Sequence, residues 1–130
     1  VSTKENIEKL KEFEPMWKLS QFDSNYLQAA LDDKLFKNLS KEINIKNKIE
    51  LENILRNSSL IEEIFESSAN YVLVKLKNLS AKEFQEKLKP YKIMVRDCSN
   101  FDYLNSSDVR IAVKSSSANE ILQRALKEIC

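Results

Sequence analysis

The chain has 130 residues, 42% of them hydrophobic and 32% charged, the profile of one soluble globular domain long enough to bury a core. A net charge of +1, from 21 basic and 20 acidic residues, leaves no basic excess for nucleic acid, and no apolar run nears the roughly 18 residues of a membrane span. There is no His and no Gly, which removes the usual general base and commonest metal ligand together with the P-loop, the dinucleotide fingerprint and the nucleophile elbow.

The first half, 1–57, reads as mainly helical. Ser2-Thr3-Lys4-Glu5 suggests a capping box, followed by Ile7, Leu10 and Phe13 at helical spacing, with Pro15 as the stop. Asp23 or Ser24 is the expected cap of the next helix, which carries Tyr26, Leu27, Ala30 and Leu31 on one face. A longer helix is predicted from Asp33 to about Arg56, with a kink or break near Asn44 to Asn47 where the apolar period loosens. Asn57-Ser58-Ser59 reads as a turn.

The second half, 58–130, changes period and reads strand, helix, strand, strand, helix. Tyr71 to Leu76 is rich in β-formers and nearly continuous in apolar residues, as in a buried central strand. Ser80-Ala81-Lys82-Glu83 is a capping box for a short helix with Phe84 and Leu88, ended by Pro90. Ile93 to Arg96 and Val109 to Val113 are further strands, separated by a polar loop from Cys98 to Ser107. Ser117-Ala118-Asn119-Glu120 is expected to cap a last helix carrying Ile121, Leu122, Ala125, Leu126 and Ile129. The fold class is therefore α+β, with N-terminal helices followed by a small sheet that has helices packed on one face. The whole is read as a single domain, 1–130.

Two arginines stand out as candidate binding residues. Strand alternation turns Arg96 away from Ile93 and Val95, and Arg110 away from Val109, Ile111 and Val113. If the two strands pair, both guanidiniums lie on the face away from the core. There they suit a carboxylate or phosphate, or else are two solvated surface charges. Asp97 reads as a turn or strand-end residue rather than an acid catalyst. Cys98 has no His to activate it, and with Cys130 it lacks metal spacing, so the two read as a reduced cytosolic pair. Trp17 reads as a core or interface anchor, and Tyr91 and Tyr103 have no evident partners. No residue of the chain is singled out as catalytic, cofactor-binding or metal-binding.

Several stretches resemble the class I/II aminotransferases of the pyridoxal-phosphate-dependent, fold type I group. Ser67 to Val74 looks like the "S-x-A-N-F" strand of histidinol-phosphate aminotransferases and threonine-phosphate decarboxylases. Ile93 to Phe101 looks like their "I-x-V-R-D-C" strand, Val109 to Lys114 like "R-I-A-V-R", and Ala118-Asn119-Glu120 loosely like the "E-E-N" helix start. Upstream, Pro15-Met16-Trp17 and Ala29 to Asp33 are similar to "P-P-W … A-A-L-x-D". The chain departs from the family at Tyr91-Lys92, where a Gly usually precedes the strand, and in the following loop, where another Gly is gone.

The resemblance implies the C-terminal small domain of a larger cytoplasmic enzyme, a homodimer using pyridoxal 5'-phosphate, and a chain inactive by itself. The Schiff-base lysine of the family lies upstream of the Pro-Trp segment, so no cofactor is expected on this fragment. The chain opens on Val1 rather than Met, which suggests a fragment, with removal of an initiator Met as the alternative. By position, Arg110 matches the arginine that binds the substrate α-carboxylate, and Arg96 one near the substrate's phosphate end. The expected partners are a small phosphorylated amino substrate and the enzyme's own large domain. Transamination and decarboxylation are both open. Exposed apolar surface around Phe13, Trp17, Phe22 and Tyr26 is expected where the large domain would sit. The alternative is a stand-alone α+β binding or interaction module without a cofactor.

Overall fold

The computed structural model describes residues 2–15 and 18–130; Trp17, read above as an anchor, and Met16 lie outside the described residues. The chain divides into two compact units, Val1–Leu39 and Ser40–Cys130.

The first unit holds two helices and the start of a third. Helix α1 (Lys4–Lys11) is capped by Thr3, whose hydroxyl accepts the Asn6 N–H, not by a box opened at Ser2. It stops before Phe13, so Pro15 is not its terminator. Helix α2 (Gln21–Asp32) begins earlier than expected, because Ser20 and Asp23 exchange hydrogen bonds as a capping box. Asp23 therefore sits inside the first turn, and its carboxylate is held below the usual range by the Ser20 hydroxyl and then the Ser20 N–H. Neither helix buries a residue among those described. Phe13, Phe22 and Tyr26 are 84%, 77% and 67% exposed, so the aromatic side chains described there have no core of their own.

Helix α3 (Lys34–Arg56) starts where the Asp33 carboxylate accepts the Phe36 N–H at 2.9 Å. It runs unbroken through Asn44 to Asn47. No Pro or Gly interrupts it, and straight-chain Lys, Glu and Leu sustain the backbone. The loosened apolar period marks a change of environment instead: only Leu51 and Leu55, near its end, are buried.

The second unit is built on a four-stranded antiparallel sheet of order β1-β2-β4-β3. Strand β1 (Ile61–Ile64) has no counterpart in the sequence reading. Its two central glutamates suppress any strand signal, and it exists by pairing with β2 (Tyr71–Leu76) across a register shift. Strand β2 is central, but the helices cover only one of its faces: Val72, Val74 and Leu76 are buried, whereas Tyr71, Leu73 and Lys75 share the other face.

Helix α4 (Ala81–Leu88) is opened by the Ser80–Glu83 capping box, as expected. A 3₁₀ turn at Lys89–Tyr91 contains Pro90. Lys92 then takes a left-handed conformation, φ 58°, a region that favours glycine. Strand β3 is only Arg96–Asp97, shorter and later than predicted. The preceding Val95 carbonyl is taken by the Gln85 side-chain amide at 2.8 Å instead of by a strand partner. Strand β4 is Asp108–Ala112. Helix α5 (Ser116–Ile129) is capped by Ser115, two residues before the predicted Ser117.

The core lies between one sheet face and three helices. Leu51 and Leu55 of α3, Phe84 and Leu88 of α4, and Leu122 and Leu126 of α5 meet Val72, Val74, Val109 and Ile111. Burying each such side chain contributes roughly 1.5–3 kcal/mol relative to exposure. The architecture is α+β: α3, α4 and α5 pack on one face of the sheet, and the opposite face, which carries Tyr71, Leu73 and Lys75, is turned away from that core.

Candidate functional site at the β3–β4 pair

That open face presents the two arginines. Arg96 of β3 stands directly opposite Arg110 of β4, and Leu73 of β2 stands opposite Arg110 on its other side. Directly paired residues project to the same face, with Cβ atoms about 4.5–5.5 Å apart. Val109 and Ile111 turn inward to the core, so both guanidiniums emerge on the face turned away from that core. Two like charges on adjacent strands repel each other, and an anion between or above them relieves that.

The two differ in how far they are already engaged. Arg96 is exposed; its guanidinium donates to the Asn100 side-chain oxygen at 3.0 Å and lies 5.6 Å from the Phe101 ring centroid. Arg110 is half-buried, and its guanidinium carbon lies 4.6 Å from the Tyr71 ring centroid. Among the described residues, no side-chain acceptor or carbonyl takes its N–H groups. Among the described residues no side-chain nitrogen or oxygen is both buried and unpartnered, so these donors face solvent.

The loop joining the strands is ordered by short polar contacts. Asp97 accepts the Ser99 N–H at 2.8 Å. That backbone donor, followed by the Ser99 side chain, holds its carboxyl below the usual range. It is a turn former, as its sequence position suggests. The Cys98 thiol is buried and donates to the Arg96 carbonyl at 3.6 Å. Burial pushes the thiol upward, opposed by Arg110 and Arg96, so it is held protonated rather than as a nucleophile. Asp108 is buried and accepts the Asn105 N–H at 2.7 Å. Tyr91 donates to Glu128 at 2.7 Å and staples the 3₁₀ turn to α5. Tyr103 is exposed.

Three residues of the arrangement escape the sequence reading: Tyr71, Asn100 and Phe101. Tyr71 is legible as a strand residue, but its place near Arg110 depends on which strands pair and in what register. A groove of about 430 Å³ lies elsewhere, between α4 and Ile93-Met94, and neither arginine lines it.

The described lysines do not suit a Schiff base, which needs a neutral, sheltered amine. The half-buried ones are Lys48 and Lys75. Lys48 donates to the Ser67 carbonyl at 2.7 Å. Lys75 pairs with Glu62 at 2.7 Å, and that hydrogen bond raises its pKa and holds it as an ammonium.

Residues 1–129 match the family model of aminotransferases of class I and II. The chain belongs to that family. It is 33% identical over 129 residues to a histidinol-phosphate aminotransferase of Methanocaldococcus jannaschii, covering 99% of this chain and 34% of the relative. It is 32% identical over 124 residues to a protein provisionally assigned as a threonine-phosphate decarboxylase in Caldanaerobacter subterraneus subsp. tengcongensis, covering 93% of this chain and 33% of that one. The crystal structure of the histidinol-phosphate aminotransferase from Clostridium acetobutylicum superposes with a TM-score of 0.79 at 29% identity, over 97% of this chain and 38% of that one. The chain thus spans about a third of the length of the curated relatives it matches. In the described part of this aminotransferase-family chain, no helix is long and apolar enough to cross a membrane.

Proposed function

We propose that the chain is the C-terminal substrate-binding domain of a pyridoxal-phosphate-dependent aminotransferase or amino-acid-phosphate decarboxylase, inactive without the rest of the enzyme. The observation that carries this reading is the guanidinium of Arg110, whose N–H donors have no partner among the described residues, opposite Arg96 on the sheet face turned away from the core. Arg110 binds the substrate carboxylate through its two-pronged fork, and Arg96, already tied to Asn100, meets the phosphate end.

Membership in the family implies pyridoxal phosphate in the intact enzyme, where it serves as the electron sink. The lysines described here offer it no attachment, so this chain's part is to clamp and orient the substrate anion. The exposed apolar side chains of α1 and α2 support a seat for these helices on the enzyme's large domain. The intact enzyme is proposed to be a cytoplasmic homodimer acting on a small phosphorylated amino compound.

The test uses the full-length protein that carries this chain, loaded with cofactor and supplied with L-histidinol phosphate or O-phospho-L-threonine. Transfer of the amino group and release of CO₂ are followed separately. Arg110→Lys keeps the charge but loses the fork. It is expected to lower kcat/KM by about one to two powers of ten, the loss of a charge-assisted hydrogen bond of roughly 1.5–3 kcal/mol. Cofactor absorbance and melting temperature should be unchanged. Unaltered kinetics would remove Arg110 from the site.

A further inference from the structure

We propose that Tyr71 is the positioning residue of Arg110: its ring holds the guanidinium in place over the open sheet face, so that the fork is set before an anion arrives. The proposal rests on the reading of Arg110 as an anion-binding residue.

Four features on the open face support it. The guanidinium carbon lies 4.6 Å from the ring centroid, well inside the range of about 6 Å for attraction between a cation and an aromatic face. The strand register makes this contact possible. Tyr71 pairs with Ala112, and Leu73 with Arg110, so Tyr71 and Arg110 are diagonal neighbours. That diagonal spans about 7–8 Å and is bridged only by aromatic or long side chains. Ala112, directly opposite Tyr71, is too small to fill the space over which the ring leans.

The backbone that carries the ring is fixed by hydrogen bonds. The Ser67 hydroxyl donates to the Tyr71 carbonyl at 2.6 Å and accepts the Ala69 N–H at 3.2 Å, while Lys48 holds the Ser67 carbonyl at 2.7 Å. The segment Ser67-Ser68-Ala69-Asn70 is therefore a pinned turn that delivers Tyr71 to the start of β2 in one place. Finally, a ring face attracts the cation without using any of its N–H groups. Among the described residues Arg110 has no ion pair or side-chain hydrogen bond, so the ring is what restrains it. Arg96 differs, because Asn100 already takes one of its donors. No hydrogen bond of the Tyr71 hydroxyl is found among the described residues, which makes the ring, and not the hydroxyl, the working part.

The experiment follows the arginine Nε–H signals of the full chain by NMR while O-phospho-L-serine, which carries both a carboxylate and a phosphate, is titrated in. Arg110→Lys first tests the anion-binding reading; an unchanged affinity in that variant overturns the proposed function of the site. In the parent chain the Arg110 Nε–H signal should be displaced upfield by the ring. Tyr71→Phe should keep both that displacement and the affinity. Tyr71→Leu should abolish the displacement and weaken the probe about threefold to tenfold, the scale of a partly solvated cation–π contact. If Arg110→Lys weakens binding but Tyr71→Leu does not, the positioning role is overturned while the site stands. Equal weakening by Phe and Leu would transfer the role to the hydroxyl and also overturn it. Should Tyr71→Leu lower the melting temperature, Tyr71→Met, which keeps the reach but has no ring, carries the same comparison.

Discussion

Asn119 is 2% exposed and sits in the first turns of α5. Its side-chain amide donates to the Asn47 carbonyl and to the Glu50 carboxylate of α3, each at 3.1 Å. The same carboxylate receives the Ser116 hydroxyl at 2.8 and 2.9 Å. This is a polar clamp between α3 and α5, two of the three helices that lie on the sheet. Asn119→Ala removes one neutral hydrogen bond, worth about 1 kcal/mol, and one to a charged group, worth about 1.5 kcal/mol because Glu50 is half-buried and still bound by Ser116. The expected loss is about 2–3 kcal/mol in urea denaturation of the full chain at pH 7. Asn119→Asp removes the same donors and sets a second carboxylate against Glu50, so it should cost about 1 kcal/mol more than Ala. The repulsion raises the folded pKa of the new carboxyl. The excess loss should therefore shrink as pH falls through the carboxylate range and the group protonates. An Ala variant within about 0.5 kcal/mol of the parent would show that the amide is not a clamp. So would an Asp variant as stable as Ala.

The two thiols should part in their reactivity. Cys98 is buried and its pKa is raised by burial, whereas Cys130 is exposed and lowered, chiefly by the hydrogen bond from the Ser59 hydroxyl at 3.2 Å. Iodoacetamide at pH 8, read by peptide mass mapping, should alkylate Cys130 at least about tenfold faster; equal rates would contradict the packing of the β3–β4 loop. Lys92→Gly removes a side chain held at φ 58° and should raise stability by about 0.5–1 kcal/mol in the same denaturation assay; unchanged or lower stability would refute the strain. Glu83 is held below its ordinary pKa by the Ser80 hydroxyl and then the Ser80 N–H. The stability this gives is present above the ordinary value of 4.5 and is lost as pH falls through the lower folded value. Ser80→Ala should therefore flatten that acid limb, read as melting temperature against pH; an unchanged limb would refute the link.

Much of the fold is legible locally. The Ser80–Glu83 capping box, the alternation of Tyr71 to Leu76 and the apolar stripe of the last helix each depend on interactions within a few residues, so spacing alone finds them. The same reasoning places caps one to four residues out where several Ser, Thr and Asp side chains compete, as around Thr3, Ser20 and Ser115. Arg96 and Arg110 are singled out because alternation turns them from the core. The motifs around them carry the resemblance to the family to which the chain belongs.

What alternation could not decide is which strands neighbour each other. That choice is made by the shared core of α3, α4 and α5, which sets β4 between β2 and β3 and fixes the register. From it follow the existence of β1, whose glutamates hide it, and the truncation of β3 to Arg96–Asp97. From it also follows the contact of Tyr71 with Arg110, 39 positions apart in the numbering. Period-two patterning records the face on which a side chain lies, because that is a property of one strand. It carries no record of the neighbour across the ladder, because that depends on packing between segments far apart in the chain.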